Sequence, residues 1–283
     1  MKGNVKENIM RAVFFLTACI SIVAVAMICV FLFANGIPAM KKIGLWEFLS
    51  GMVWKPSAGT FGIYPMIIAS IYVTALALII GVPVGVLTAI FLARFCPRRV
   101  YTFFKQGVEL LSGIPSVVYG FFGLMVIVPW IRNNFGGSGT SLLAAALVLA
   151  IMILPTIIAV SEASLRAVNN QYYEGSLALG ATHERSVMKV VVPAASSGIF
   201  SAAILGVGRA IGETMAVIMV AGNQAMMPQS LIRGIRTMTA NIVIEMGYAT
   251  DLHREALIAT AVVLFVFVLV INLSFSFFKR RNV

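Results

Sequence analysis

Six apolar stretches, each long enough to cross a lipid bilayer, decide what this chain can fold into. They are Ala12–Ala34, Met66–Ala93, Leu110–Ile131, Leu142–Val160, Ala194–Gly222 and Ala256–Phe278. A spanning helix needs about 20 predominantly apolar residues. All but one of these runs are free of charge; Ala194–Gly222 alone carries charges, Arg209 and Glu213. Hydrocarbon offers a peptide group no hydrogen-bond partner, so each span has to satisfy its own backbone as a helix. The expectation is an all-α polytopic membrane protein with six transmembrane helices. Only 11% of the residues are charged and 60% are hydrophobic, where a soluble domain carries about 25% charged residues. The first run is 23 residues with no small-residue cleavage site after it, so it reads as a retained span rather than a signal peptide. Pro83, Pro115, Pro129 and Pro155 fall inside or near the ends of spans and predict kinks.

Topology follows from the basic residues. The net charge of +11 would suggest nucleic acid in a soluble protein; here it is read through the excess of Lys and Arg on cytoplasmic segments. With both termini inside, 13 of the 21 Lys and Arg fall on inner segments and 7 on outer ones, leaving Arg209 in the membrane. That bias places both termini, and the segment between the fourth and fifth spans, in the cytoplasm. The outer loop Asn35–Pro65 carries Trp46, Phe48, Trp54, Phe61 and Tyr64, rings that suit the membrane–water interface. In the outer segment Gln224–Glu255, Leu231, Ile235, Met238 and Ile242 recur at helical spacing, which predicts a helix on or dipping into that face.

The sequence holds no catalytic constellation. His183 and His253 are 70 residues apart without ligand-spaced neighbours, and Cys19, Cys29 and Cys96 lack paired spacing. No metal site and no P-loop is expected, so ATP should not bind this chain by that route. Glu109 and Glu162 flank the third and fourth spans, in interfacial positions that do not point to transport. Arg209 and Glu213 stand apart. Charges at mid-membrane are costly and tend to mark an ion or substrate path. Four residues apart in one helix, the two should share a face within reach of each other. A guanidinium fork matches oxyanions, and a carboxylate acceptor beside it would favour hydrogen phosphate, which carries a P–O–H donor, over sulfate. The bland alternative is an ion pair locking a helix interface. Gly208-x-x-x-Gly212 and Gly81-x-x-x-Gly85 predict close helix-packing faces.

Between the fourth and fifth spans lies Glu174–Pro193, EGSLALGATHERSVMKVVVP. It has helical character, with Leu177, Leu179, Ala181, Val187 and Val190 apolar and Glu174, Glu184, Arg185 and Lys189 charged, and Gly180 interrupts it near the middle. Glu174-Gly175-Ser176, three residues, Gly180, nine residues, then Val190-x-Val192-Pro193 resembles the "EAA" loop of ABC importer permeases, with Gly175-Ser176 in place of two alanines. In that family the loop is a cytoplasmic coupling helix that docks on the ATPase subunit.

Further stretches narrow the resemblance. Gly113-Ile114-Pro115-Ser116-Val117-Val118-Tyr119-Gly120 and Gly208-Arg209-Ala210-Ile211-Gly212-Glu213-Thr214-Met215-Ala216 look like signatures of phosphate permeases, and the Thr-Met-Ala ending is similar to the PstC-type subunit more than the PstA-type. Trp54-x-Pro56 and Phe61-Gly62-Ile63-x-Pro65 resemble the segment ahead of the second span. The resemblance implies the type I permease fold, with an N-terminal helix and outer loop over 1–65, a permease domain over 66–278 containing a coupling loop at 162–193, and a tail at 279–283. It implies a bacterial inner-membrane subunit working with a second related permease, two ATPase subunits that use ATP and Mg, and an extracytoplasmic phosphate-binding protein. The permease itself would be no enzyme and hold no cofactor. By the same resemblance Arg209 and Glu213 line the phosphate path and Glu174, Gly175, Gly180, Val190 and Pro193 couple to the ATPase, while Gly208, Gly212 and Pro115 are assigned to packing or kinks by their own spacing and chemistry. A permease for molybdate or sulfate, a proton-coupled secondary carrier, and a partner that reports phosphate to a sensor kinase are the competing expectations.

Overall fold

The computed structural model describes residues 2–281. Helix α1 runs from Lys2 to Ile43 and α2 from Leu45 to Ser50; a hairpin of β1 (Trp54–Lys55) and β2 (Thr60–Phe61) follows, and α3 spans Tyr64–Ile90. Then come α4 (Arg98–Gly113), α5 (Ser116–Phe122), α6 (Val128–Phe135) and α7 (Leu142–Ala167). The segment after α7 folds as α8 (Asn170–Ala178), α9 (His183–Ser186) and α10 (Val192–Ala194). The chain ends in α11 (Ser196–Gly212), α12 (Met215–Val220), α13 (Met238–Met246) and α14 (Asp251–Arg281). Five helical stretches are long and apolar enough to cross a membrane, and a sixth arises if His183–Ala194 and Ser196–Gly212, bent by 67°, count as one broken span. Among the described residues the fold is helical apart from the two-residue strands, one isolated bridge between Gly222 and Ile235, and the connecting loops.

Proline accounts for much of the irregularity. Cys96, Val128 and Val192 each precede a proline, and each donates its N–H to the carbonyl five residues back, at Phe91, Gly123 and Val187. A proline ring clashes with the carbonyl four residues earlier, and a wider π turn just before it relieves that clash. Pro83 and Pro155 instead sit inside α3 and α7. Pro115 stands at a full break: α4 ends at Gly113, Ile114 and Pro115 are extended, and α5 starts at Ser116. The third span therefore begins at Ser116 rather than Leu110, and Leu110–Gly113 close α4.

Helix α7 is the hub. In its most apolar stretch 61% of residues are buried, against 33% or less in the other spans. It lies parallel to α3 and close against it, because α3 presents glycines where the two backbones meet. A Cβ on Gly81 would come 2.8 Å from Ile153, and one on Gly85 2.7 Å from Ile157. On its other side α7 packs antiparallel to α11, with Gly198 against Ser164 and Gly206 against Ile157. Gly81-x-x-x-Gly85 is thus a packing face. Gly208 and Gly212 are not, within this chain: a Cβ on either would meet nothing within 4 Å. Gly206, one half-turn away, makes the contact instead.

At the end of the bundle away from Glu174–Pro193, two sequence expectations are corrected. Residues Leu231–Thr237 are not helical; helix begins only at Met238. Pro228, Ser230 and Gly234 disfavour helix there, and the extended loop has other work. Its carbonyls at Leu231 and Arg233 accept from Leu143 N (2.8 Å) and Leu142 N (3.0 Å), capping the N-terminus of α7. The aromatic residues of Asn35–Pro65 are also not simply interfacial. Phe48, Trp54 and Phe61 are buried with Met238, Ala256 and Leu257, while Trp46 is exposed. Helix α1 joins this cluster through its last turns, where Gly36 meets Val262 of α14.

The glycine contact on the hub is testable. Gly85→Val would press two methyl groups into the stiff, β-branched Ile157 and should destabilise the purified protein by about 1–3 kcal/mol. Thermal melting in detergent checks this, and an unchanged midpoint would rule out the close α3–α7 approach.

Candidate functional site

The fifth apolar stretch does not run as one helix. Helix α11 stops at Gly212, Glu213 is extended (φ −70°, ψ 129°), and α12 starts at Met215. Arg209 occupies the last turn of α11, where the helix dipole favours a cation. Its Nη1 donates to Thr156 Oγ1 at 3.0 Å. Thr156 is the fifteenth of the 26 residues of α7, so Arg209 sits close to the middle of that span. The neighbouring face of α11 is open: Leu205 and Gly212 are exposed, and Gly208 and Arg209 are partly so. A charge here is next to bare backbone and has room for a ligand.

The ion pair that stood as the alternative reading does not form. Among the described residues no salt bridge joins Arg209 to Glu213, because the helix that would have stacked them ends between them. The Glu213 carboxylate turns instead to cap α12, accepting from Ala216 N through Oε1 at 3.1 Å. Thr214 Oγ1 donates to Gly212 O at 3.2 Å, and Thr239 Oγ1 donates to Glu213 O at 3.3 Å, so the peptide groups freed by the break are bonded. Oε2 of Glu213 has no partner among the described residues. The arrangement is a broken span with an arginine before the break and a carboxylate at it, both with donors or acceptors to spare. An interface lock would have consumed them.

Glu174–Pro193 folds as the sequence predicts, helix then glycine then helix. Gly180 is left-handed (φ +85°), and Gly180 N and Ala181 N bond back to Leu177 O (2.8 Å) and Ser176 O (3.2 Å), the double closure that ends a helix at glycine. Thr182 caps α9 by accepting from Arg185 N. The two short helices are held together by Ser186 Oγ donating to Ser176 Oγ (3.0 Å) and by Tyr173 Oη with His183 Nδ1 (2.7 Å). Glu174, Gly175 and Pro193 are exposed, Val190 is half-buried, and Leu179 projects with 91% of its surface free. The buried residues Val187 and Val191 pack against Ala89, Ile90 and Leu165, seating the segment on the ends of α3 and α7.

Beneath that seat is a cluster the sequence did not reveal. Glu162, expected to be merely interfacial, is buried. It accepts from Tyr101 Oη (2.6 Å), Lys105 Nζ (2.9 Å) and Arg166 Nε (2.8 Å), tying α7 to α4. Arg166 also donates to Leu92 O at 3.0 Å, while Arg94 donates to Leu165 O at 2.9 Å, so the ends of α3 and α7 cap each other. Only the one-turn Glu162–Arg166 spacing was visible in sequence; the partners from α4 were not. Glu109 lies exposed on α4 beside Gly113 and Pro115. At the opposite end Glu245 is likewise buried, accepting from Trp54 Nε1 (2.8 Å) and Arg236 Nη1 (2.6 Å), with His253 Nε2 at 2.8 Å. These side chains come from the hairpin, the loop before α13, and α14. No group of three His, Cys, Asp or Glu side chains is placed to hold a metal among the described residues.

The fold is shared with solved membrane subunits of ABC importers. A bacterial ABC transporter that imports the acidic polysaccharide alginate superposes with a TM-score of 0.64 at 14% identity, covering 94% of this chain and 96% of that one. An inward-facing methionine ABC transporter gives 0.62 at 20% identity, covering 82% and 100%. At those identities the likeness concerns architecture, the type I permease fold. Sequence relationship goes further: residues 81–283 match the family of binding-protein-dependent transport system inner membrane components, and the chain belongs to that family. It is 40% identical over 256 residues to a probable ABC transporter permease protein of Bacillus subtilis, covering 88% of this chain and 83% of that protein. It is 34% identical over 270 residues to the phosphate transport system permease protein PstC of Mesorhizobium japonicum, covering 88% and 82%. The chain is therefore a multi-pass ABC importer permease, a transport subunit rather than an enzyme, and this sets aside the proton-coupled secondary carrier.

The Glu245 cluster gives the protein a pH dependence of known sign. Burial pushes the Glu245 carboxyl up, but the bonds from Trp54, His253 and Arg236 together hold it below its ordinary value. A depressed carboxyl contributes stability above its unfolded-state value and loses it as pH falls through its folded-state value. The melting temperature should therefore drop on acidification from about pH 5 downward, and Glu245→Gln should flatten that drop. Identical acid profiles for the two proteins would remove Glu245 as the cause.

Proposed function

We propose that this chain is the PstC-type subunit of an ATP-driven phosphate importer in a bacterial inner membrane, with both termini in the cytoplasm. A second related permease completes the path, two ATPase subunits bind ATP and Mg, and an extracytoplasmic binding protein delivers phosphate. The observation that carries this reading is Arg209: a mid-span cation at a helix break, unpaired with Glu213 and beside an open glycine face. The guanidinium supplies the match to an oxyanion. The free Oε2 of Glu213 supplies an acceptor for the proton of hydrogen phosphate, and the PstC relatives support phosphate over molybdate or sulfate.

Coupling runs through the opposite feature, the exposed Glu174–Pro193 segment. Closure of the ATPase dimer pushes on Leu179 and its neighbours. The push reaches α3 and α7 through Val187, Val191 and Arg94, and the helix breaks at Ile114 and Glu213 let the spans change which side is open.

The decisive experiment is uptake of labelled phosphate by proteoliposomes holding this chain, its partner permease and the ATPase, with binding protein outside and ATP inside. Uptake should require ATP, resist excess sulfate and molybdate, and vanish in Arg209→Ala; in Glu213→Gln, sulfate should compete more strongly. Uptake insensitive to Arg209→Ala would end the path assignment, and an unchanged phosphate preference in Glu213→Gln would end the role of the carboxylate.

A second measurement addresses coupling. Gly180→Val places a β-branched side chain at a positive φ, a strain of about 1–2 kcal/mol that distorts the turn. It should abolish transport-coupled ATP hydrolysis while the complex still assembles, whereas Gly180→Asn, tolerant of that φ, should keep most of it. Full coupled turnover in Gly180→Val would exclude the docking role.

A further inference from the structure

Several helical serines and threonines in this protein donate their hydroxyl proton to the carbonyl one turn back, although the buried Thr74 and Ser161 do not. Ser70 donates to Met66 O, Thr88 to Val84 O, Ser164 to Val160 O and Thr260 to Ala256 O, all at 2.8–2.9 Å. Thr156 does not. It lies in the helix interior of α7, directly after Pro155, and the bond it makes is as acceptor, from Arg209 Nη1 at 3.0 Å. An oxygen that receives an N–H on one lone pair must point its own proton elsewhere, and no group among the described residues takes it. The side chain is only partly buried, and the residues one and two turns further along the same face, Ala159 and Ala163, are small and exposed. The hydroxyl thus faces the same open ground as Arg209.

We propose that Thr156 is a second oxyanion-binding group of this path, donating its hydroxyl proton to the tetrahedral anion that Arg209 holds. This rests on the reading of Arg209 as the anion's contact and extends it to a residue on a different helix. The chemistry is cooperative: the guanidinium N–H polarises the threonine oxygen, which sharpens the O–H as a donor. Two donors from α11 and α7 would clasp the anion between the hub helix and the broken span. The bond to Thr156 also fixes the arginine's rotamer, so that its remaining N–H groups are presented together.

The test uses the full reconstituted importer and compares Thr156→Val, Thr156→Ser and Arg209→Ala. Valine keeps the shape and β-branching and loses the hydroxyl, so the half-saturating phosphate concentration for the transport step, read at saturating ATP and binding protein, should rise about tenfold or uptake should fall by a similar factor. Serine restores the hydroxyl and should return uptake close to the wild-type value. If Arg209→Ala abolishes uptake and Thr156→Val leaves it unchanged, the Thr156 assignment is wrong and the path reading stands. If both variants transport normally, the path reading itself is wrong. If serine is as poor as valine, the methyl group rather than the hydroxyl matters, and the assignment is again overturned. Should the valine variant fail to assemble, Thr156→Ala against Thr156→Ser gives the same comparison.

Discussion

A peptide group stranded in hydrocarbon has nowhere to turn for a hydrogen bond, and each irregularity of this protein is shaped by that fact. Three helices widen into π turns just ahead of a proline. At the break around Pro115, Tyr119 Oη reaches back to Leu111 O at 2.6 Å. At the break around Glu213, a carboxylate, two threonine hydroxyls and a backbone N–H share the freed groups. The chain can therefore interrupt its spans where function wants an interruption, at the expense of placing a polar side chain beside each one. Those side chains are the same ones that furnish a path with chemistry.

The two charges of the fifth stretch show how this works. In an unbroken helix Arg209 and Glu213 would have neutralised each other, leaving little for a passing anion. Ending α11 between them sends the arginine to a threonine on α7 and the carboxylate to the first turn of α12. Each is oriented by a neutral partner rather than by the other. The cost of holding such charges in a span is offset by the helix end beneath the arginine, the capped helix start above the carboxylate, and the open ground between.

Much of the architecture could be read from residues alone, and for definable reasons. Span number and the glycine face at Gly81 and Gly85 follow from length and spacing, which survive folding unchanged. The helix–glycine–helix of Glu174–Pro193 follows because a glycine two residues ahead of a cap residue such as Thr182 suits the end of one helix and the start of the next. What was illegible depended on partners distant in sequence. Nothing near Glu162 announces Tyr101 and Lys105, and nothing near Glu245 announces Trp54. Leu231 and Ile235 mimic a helical stripe but lie in an extended loop, Ile235 buried and Leu231 exposed, because the N-terminus of α7 takes the carbonyls of Leu231 and Arg233. Gly208 and Gly212 carry the spacing of a packing face, yet their side of α11 is left open by this chain. The helix break at Glu213 escaped notice because no proline marks it.

The crossed arginines at the ends of α3 and α7 have a mechanical consequence. Arg94 donates to Leu165 O near the end of α7 and Arg166 to Leu92 O just past the end of α3, while Glu162 lashes α4 to α7. A load applied there finds no slack: the two long helices answer as a single beam, glued along their length by glycine contacts. Deformation must then appear where the beam is jointed to its neighbours, at the extended residues Ile114 and Glu213. The stiffest part of the molecule thereby chooses where the softest parts bend, and the second of those joints is the one flanked by the arginine.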